Sequence, residues 1–417
     1  MTVMLTIIEN VSIIHGEELR VIDDGYIEIE NGVITHTGEG SSTGLPDQRA
    51  RRLNGRGLLA IPGLIDAHTH LADSVAKDVG VGSSLDELVH PIHGLKSVLL
   101  KEASRSQVCD AMSASARSMI ASGITAFADF REGGLSGVQL ALNALRGISI
   151  RAMILGRPNH HFDEHQVVDD LKPLTQDTVR ELAQTIEVCS GLGMSGANEY
   201  TGEAMKQVSE LVKDKGKLLA FHASESVESR SFSFKKFFRT EVERILDYLK
   251  PDFLVHLTNA TPGDVQKVSE NQIPVVCCPK ANSILGLGIA PIVELLEADV
   301  TVALGTDNVM LNPPDMFREM DYTSRMLRAT KRNAGVVSSR EILKMATVNA
   351  AKVLGLEGRL GSIEQGKRAD VVLLDLNNGN LSFSRDLIAS VVHRASAGDV
   401  KCVLVDGEVV HGSIPNA

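Results

Sequence analysis

Short apolar, β-branched runs alternate with helical stretches through the middle of this 417-residue chain, and nothing else in the sequence restricts its fold as tightly. The runs are Leu59–Ala67, Ile124–Asp129, Ile148–Leu155, Ile186–Cys189, Leu218–His222, Phe253–His256, Ile273–Cys278 and Val300–Gly305. Runs of that length bounded by turn residues suit buried strands. Helical patterns lie between several of them. Ser106 to Ala121 is one, stopped by Gly123. Ser338 to Leu354 is another, with Ser338 and Glu341 at capping-box spacing and Gly355 where a terminating glycine belongs. Eight strands alternating with helices predict an α/β chain whose residues 61–360 form a (β/α)8 TIM barrel.

The two ends differ from the middle and resemble each other. Thr6 to Ile14 is apolar and β-branched, and Gly16 breaks it. Tyr26 to Glu30 alternates with period two, and Asn31-Gly32 then gives a hairpin signal before Val33-Ile34-Thr35. Gly38 to Asp47 reads as a loop. Near the other end, Ala369 to Asp375 has a buried-strand pattern, and Val400 to Val410 reads as a hairpin broken at Asp406-Gly407. Residues 1–60 and 361–417 are therefore expected to join into one small β-sandwich domain beside the barrel.

Composition excludes several classes. Hydrophobic residues make up 43% and charged residues 23%, which is ordinary for a globular chain and wrong for a disordered one. The formal charge is −11, so a phosphate backbone would be repelled and nucleic acid is not the expected partner. No apolar run reaches the roughly 18–20 residues of a membrane span. The five cysteines include no CxxC pair and two adjacent residues, Cys277 and Cys278. That pattern is neither a disulfide framework nor a thiolate zinc cluster. With no signal-peptide pattern at the start, a reduced, cytoplasmic setting is expected.

The chemistry-bearing signal begins at Pro62-Gly63-Leu64-Ile65-Asp66-Ala67-His68-Thr69-His70. Residues i and i+2 of a strand share a face, so His68 and His70 can project together. Two imidazoles so placed suit Zn²⁺ or Fe²⁺, although an HxH pair alone is often a surface accident. Three further strand ends change the weighing. His222 follows Leu218-Leu219-Ala220-Phe221, His256 follows Phe253-Leu254-Val255, and Asp307 follows Val302-Ala303-Leu304-Gly305-Thr306. Each alone could be a hydrogen-bonded core residue or a helix cap. Four strands carrying metal-suited side chains at their C-terminal ends, where barrel active sites form, favour a site. Glu225, three residues after His222, could relay protons beside it, or be a solvated loop glutamate.

These segments together resemble the amidohydrolase superfamily, in its mononuclear branch of cytosine, guanine, adenosine and S-adenosylhomocysteine deaminases and chlorohydrolases. The resemblance covers essentially the whole chain. It rests on PGLIDAHTH at 62–70, HASE at 222–225, LVHL at 254–257, CPKANS at 278–283, LGTDN at 304–308 and GSIEQGKRADVVLLD at 361–375. It implies one divalent metal ion, zinc first and iron as the alternative, held by His68, His70, His222 and Asp307. It further implies Glu225 as proton shuttle, and His256 and Asp307 as partners of the attacking water. The region from Ile186 to Gly193 contains no lysine for a second metal, which fits the mononuclear class. The implied reaction is hydrolytic deamination of a cyclic amidine: a nucleobase, nucleoside or pterin-like heterocycle. The other readings are ring-opening hydrolysis of a cyclic amide, as in imidazolonepropionase-like enzymes, a chlorohydrolase, or an inactive binding protein. Barrels of this kind also imply a possible homodimer.

Substrate contacts are expected from loops after the strands. The candidates are Asp73 and His93 in the first loop, Arg131 after the second strand, Arg157 after the third, Asn198 after the fourth, Lys280 after the seventh and Asn308 after the eighth. Ser195 and Glu199 accompany Asn198. Arg131, Arg157 and Lys280 together could receive an anionic group, or simply pair with nearby acids such as Glu132 and Asp163. His160, His161 and His165 read as loop polarity or substrate contacts. The segment after the fourth strand is Gly191-Leu192-Gly193-Met194-Ser195, where many nucleoside-type relatives carry a Gly-Pro-His-like sequence. Trp is absent and aromatics are 4%, so a heterocycle would stack on Phe130, Phe162, a histidine or an arginine, and hydrogen bonds and charge should dominate its binding.

Overall fold

Seventeen strands divide between two sheets in the computed structural model, which describes residues 5–42, 50–90, 93–163 and 165–414. In chain order they are β1 (Leu5–His15), β2 (Arg20–Glu30), β3 (Val33–Glu39), β4 (Arg51–Asn54), β5 (Leu58–Pro62), β6 (Leu64–His70), β7 (Ile124–Arg131), β8 (Arg151–Gly156), β9 (Gly191–Met194), β10 (Leu218–Ala223), β11 (Phe253–His256), β12 (Val275–Cys277), β13 (Val302–Leu304), β14 (Asp307–Asn308), β15 (Val371–Asp375), β16 (Val400–Val405) and β17 (Glu408–Gly412).

The first sheet runs β17-β16-β15-β5-β1-β2-β3, with β4 also paired to β1. It joins both ends of the chain, as expected. Its layers are parts of one mixed sheet folded over a shared core. Ile8, Ile13, Ile27 and Ile29 from the N-terminal strands pack in one cluster with Val371, Leu373, Cys402 and Leu404 from the C-terminal ones. The expected hairpins form at Asn31-Gly32 and Asp406-Gly407, all four residues having positive φ. The loop expected over Gly38–Asp47 begins later, since β3 extends to Glu39, and residues 43–49 lie outside the described residues.

The second sheet runs β13-β12-β11-β10-β9-β8-β7-β6-β14, every pair parallel. β14 continues β13 after two residues and pairs with β6, so the ring closes into a barrel. Alternation separates its two faces. Ala126, Ala128, Phe130, Ala220, Phe253, Val255 and Val276 fall in one cluster. The residues between them, Phe127, Leu219, Phe221, Leu254 and Val275, pack in the larger cluster with the helices.

Three expected elements are corrected. The first strand, Leu59–Ala67, is two strands in two sheets: β5 pairs with β1 and β15, whereas β6 belongs to the barrel. Gly63 divides them, where a Cβ would lie 2.1 Å from Thr125 Oγ1. The fourth strand is not Ile186–Cys189, which mostly ends the helix Gln176–Val188. That helix is capped by Thr175 and buries Leu182 and Ile186. The strand is the glycine-rich β9, where a Cβ on Gly193 would lie 2.4 Å from the Phe130 ring. Close approach requires glycine there, although glycine weakens a strand pattern. Finally, the helix over Ser338–Leu354 is two helices, Ser339–Met345 and Val348–Val353. Its capping box forms as expected, but Ala346 O accepts a hydrogen bond from Ile65 N of β6, and the helix breaks there.

Candidate metal centre and substrate recess

β6 carries His68 and His70, both buried, at its C-terminal end. β10 contributes His222, β11 ends at His256, and β14 begins with Asp307. The barrel brings these five side chains together. His68 Nε2 lies 3.2 Å and His70 Nε2 3.6 Å from Asp307 Oδ1. The His68 ring centroid is 4.9 Å from that of His222 and 5.7 Å from that of His256. Ligand atoms of His68, His70 and Asp307 fall within 4.8 Å of one another, and so do those of His68, His222 and His256.

The supporting hydrogen bonds set the imidazoles. His222 Nδ1 donates to Met194 O at 2.8 Å, and His70 Nδ1 donates to Glu132 Oε1 at 3.0 Å. Each Nε2 is then the lone-pair atom turned towards the cluster. Burial lowers the pKa of His222 well below its ordinary value and that of His68 to about 3, so both are neutral, the form that binds metal. Burial would raise the Asp307 carboxyl, but the hydrogen bond from His68 and the neighbouring His256 and His70 outweigh it and hold Asp307 ionised. His68 Nδ1 and His256 Nδ1 are buried without hydrogen-bond partners. Neutral imidazoles, an ionised carboxylate and orphaned nitrogens form a donor set that suits a divalent ion such as Zn²⁺. Several backbones here are strained. His256, Asp307 and Ser224 all have positive φ, at 76°, 62° and 50°. Non-glycine residues so placed cost about 1–3 kcal/mol each and persist where packing dictates them.

Glu225 faces the same cluster, its Oε1 lying 3.7 Å from His256 Nε2. Burial raises its pKa, with His256 opposing. Its loop is pinned from two sides. Buried Glu241 accepts from Ser224 N at 2.9 Å, and Asn259 Nδ2 donates to Glu225 O at 2.9 Å.

A recess opens onto these groups, lined also by Leu85, Val89, Lys96, Arg157, Ser195, Glu199, Leu285 and Asn308. Two of the seven expected substrate residues, Arg157 and Asn308, lie on it. Asp73 is buried beneath it, paired with Lys96 Nζ at 2.8 Å. Arg131 is buried against Glu132. Asn198 Nδ2 is occupied by Ser229 O, and Lys280 contributes its backbone N–H to Glu319 at 3.0 Å. His93 is 63% exposed and stacks on His90. Phe130 and Phe162 are buried and do not line the recess. Lys96 and Glu241 escaped the sequence reading. Each sits within an ordinary helix, and no local pattern distinguishes it from a surface charge. Glu132 was visible only as an ion-pair partner for arginine.

Comparison with known proteins identifies the family and the fold. Residues 59–410 match the Amidohydrolase family. An uncharacterized protein of Methanocaldococcus jannaschii is 37% identical, over 93% of this chain and 94% of that one. A putative aminohydrolase of Methanothermobacter thermautotrophicus is 34% identical, over 97% and 99%. A 5-methylthioadenosine/S-adenosylhomocysteine deaminase of Caldanaerobacter subterraneus is 29% identical, over 98% and 93%. Among solved structures, a zinc-bound adenosine deaminase of Xanthomonas campestris superposes with a TM-score of 0.81 at 22% identity, over 97% of this chain and 92% of that one.

Proposed function

This chain belongs to the amidohydrolase family and is a hydrolase of carbon–nitrogen bonds other than peptide bonds; from that premise we propose that it deaminates a cyclic amidine, a nucleobase, nucleoside or pterin-like heterocycle, with one divalent metal ion. The observation that carries the reading is the convergence of His68, His70, His222 and Asp307 at the ends of three barrel strands, with Glu225 beside them. Those four residues would hold the ion, and the zinc-bound relative supports zinc over iron.

When bound, such an ion lowers the pKa of a coordinated water towards about 7. The chain's own groups handle the protons. Asp307 is ionised and accepts a proton as water adds to the sp² carbon, while His256 orients that water. Glu225, whose burial favours its protonated form, gives a proton to the ring nitrogen. Once the carbon is tetrahedral, Asp307 passes the proton it holds to the departing amino group, which leaves as ammonia, and Glu225 recovers a proton from the new hydroxyl as the carbonyl forms. The five cysteines are free, in keeping with a cytoplasmic enzyme, and among the described residues no helix is long and apolar enough to cross a membrane.

The test is metal analysis followed by an ammonia-release screen across nucleobases, nucleosides and pterins. Ammonia from at least one amidine with metal-loaded protein is expected. Full metal occupancy with no ammonia from any amidine, while cyclic amides are opened, overturns the reading.

A further inference from the structure

The wall of the recess formed after β9 has a different chemistry from the metal side. Glu199 stands there on the short turn Ala197–Glu199, with 32% of its side chain open. Its Oε2 accepts from Ser195 Oγ at 2.6 Å and lies 2.9 Å from His161 Nδ1. Both interactions use one oxygen, which leaves Oε1 as an acceptor. Burial would raise this carboxyl, but His161, Arg157 and Ser195 outweigh it and hold it below the usual range. Glu199 is thus an anion in the wall of the recess.

The cations of the recess are already matched. Lys96 Nζ lies 2.8 Å from Asp73 and 2.6 Å from Glu132. Arg157 reaches Glu132 at 3.2 Å and has Glu199 as a second acidic neighbour. Arg131 is buried against Glu132, and Lys280 does not line the recess. Apart from the metal centre, the cationic side chains described on the recess, Lys96 and Arg157, each already have acidic partners, and an anionic group on this wall would face Glu199. Placing like charges together in a partly desolvated site is costly, whereas a hydroxyl or amino donor would satisfy the waiting carboxylate.

We propose that Glu199 is the specificity-determining residue of this recess, accepting a hydrogen bond from a hydroxyl group on the substituent that the heterocycle carries, and that the substrate carries no phosphate or carboxylate. This rests on the deamination reading for the reaction, and on the geometry of Glu199 for the preference.

The experiment compares adenosine, guanosine and cytidine, each with its free base and its 5′-monophosphate, on metal-loaded protein. Ammonia release gives kcat/KM, and calorimetric binding reads the same preference without turnover. At least one nucleoside should exceed its monophosphate by 100-fold or more in kcat/KM or Kd. E199A should raise KM for that nucleoside at least tenfold, leave the free base within about threefold, and keep kcat and metal content. E199Q, which retains an acceptor oxygen, should recover part of the loss. Equal or better use of the monophosphate overturns the inference, and so does an E199A loss shared equally by nucleoside and free base. Silence in the ammonia assay alongside binding of the neutral nucleoside counts against deamination and leaves the recognition result standing. Absence of any binding preference for the nucleosides overturns the recognition.

Discussion

His70 donates from Nδ1 to Glu132 Oε1 at 3.0 Å, and that same oxygen lies 2.6 Å from Lys96 Nζ and 3.2 Å from Arg157. Glu132 therefore fixes the ring of a proposed ligand while itself being held by three cations, Arg131 included. Burial would raise its carboxyl, but Lys96, Arg131 and Arg157 hold it well below the ordinary range. Replacing it with alanine frees the His70 ring and leaves Lys96 with Asp73 alone. Metal affinity should fall about 10–100-fold, as for other outer-shell carboxylates. Competition with a chelator measures it, and unchanged affinity would refute the role.

Substituting His68 or His70 with alanine should abolish both metal content and turnover. Either change removes one imidazole donor from the strand end that supplies two, and the remaining nitrogens and Asp307 no longer surround one point. Elemental analysis of the purified variants is decisive, since full occupancy in H68A would remove His68 from the ligand set.

E225Q should separate binding from chemistry. The amide keeps the shape and cannot shuttle a proton, so kcat should drop by about 10²–10⁴-fold with metal content unchanged. A variant that loses metal, or turns over normally, would contradict a pure proton-transfer role.

Glu319 should make stability depend on pH. It is buried, accepts from Lys280 N, and its Oε2 has no partner. Burial lifts its pKa from 4.5 to about 8. From about 4.5 upwards the unfolded chain releases a proton that the folded chain keeps. The contribution to stability is thus complete below the unfolded value and is lost as pH rises through about 8. In E319Q nothing titrates there, so its Tm relative to wild type should become more favourable between pH 5 and pH 8.5, by at least ~2 °C. Scanning calorimetry of the metal-loaded proteins tests this, and a flat difference would exclude the protonated carboxyl.

Arg151 ties the barrel to the terminal sheet. From β8 it makes two hydrogen bonds to Asp370, at 2.9 and 3.0 Å, and a third to Asp406 at 2.5 Å. R151A leaves the buried Asp370 carboxylate without its cation. A loss of about 2–4 kcal/mol is expected in denaturant unfolding, with metal content unchanged. A loss below about 0.5 kcal/mol would show that the contact is dispensable.

The elements whose evidence is local were legible in the sequence. Apolar, β-branched runs marked β1, β7, β10 and β11, period-two alternation marked β2, the Asn31-Gly32 and Asp406-Gly407 turns marked their hairpins, and Ser338 with Glu341 marked a helix start. Polar residues at the ends of apolar strands singled out His68, His70, His222, His256 and Asp307. The barrel then brings all five together, because parallel strands place their C-terminal ends on one face. Tertiary structure alone decided the rest. β9 is a strand because Gly191 and Gly193 let neighbouring strands and Phe130 approach closely, a contact that no propensity records. Glu132, Lys96 and Glu241 acquire their roles from partners distant in the chain, such as His70 for Glu132 and Ser224 for Glu241. Charge pairing, orphaned nitrogens and an open acceptor oxygen are properties of neighbourhoods, and neighbourhoods exist only once the chain has closed its ring.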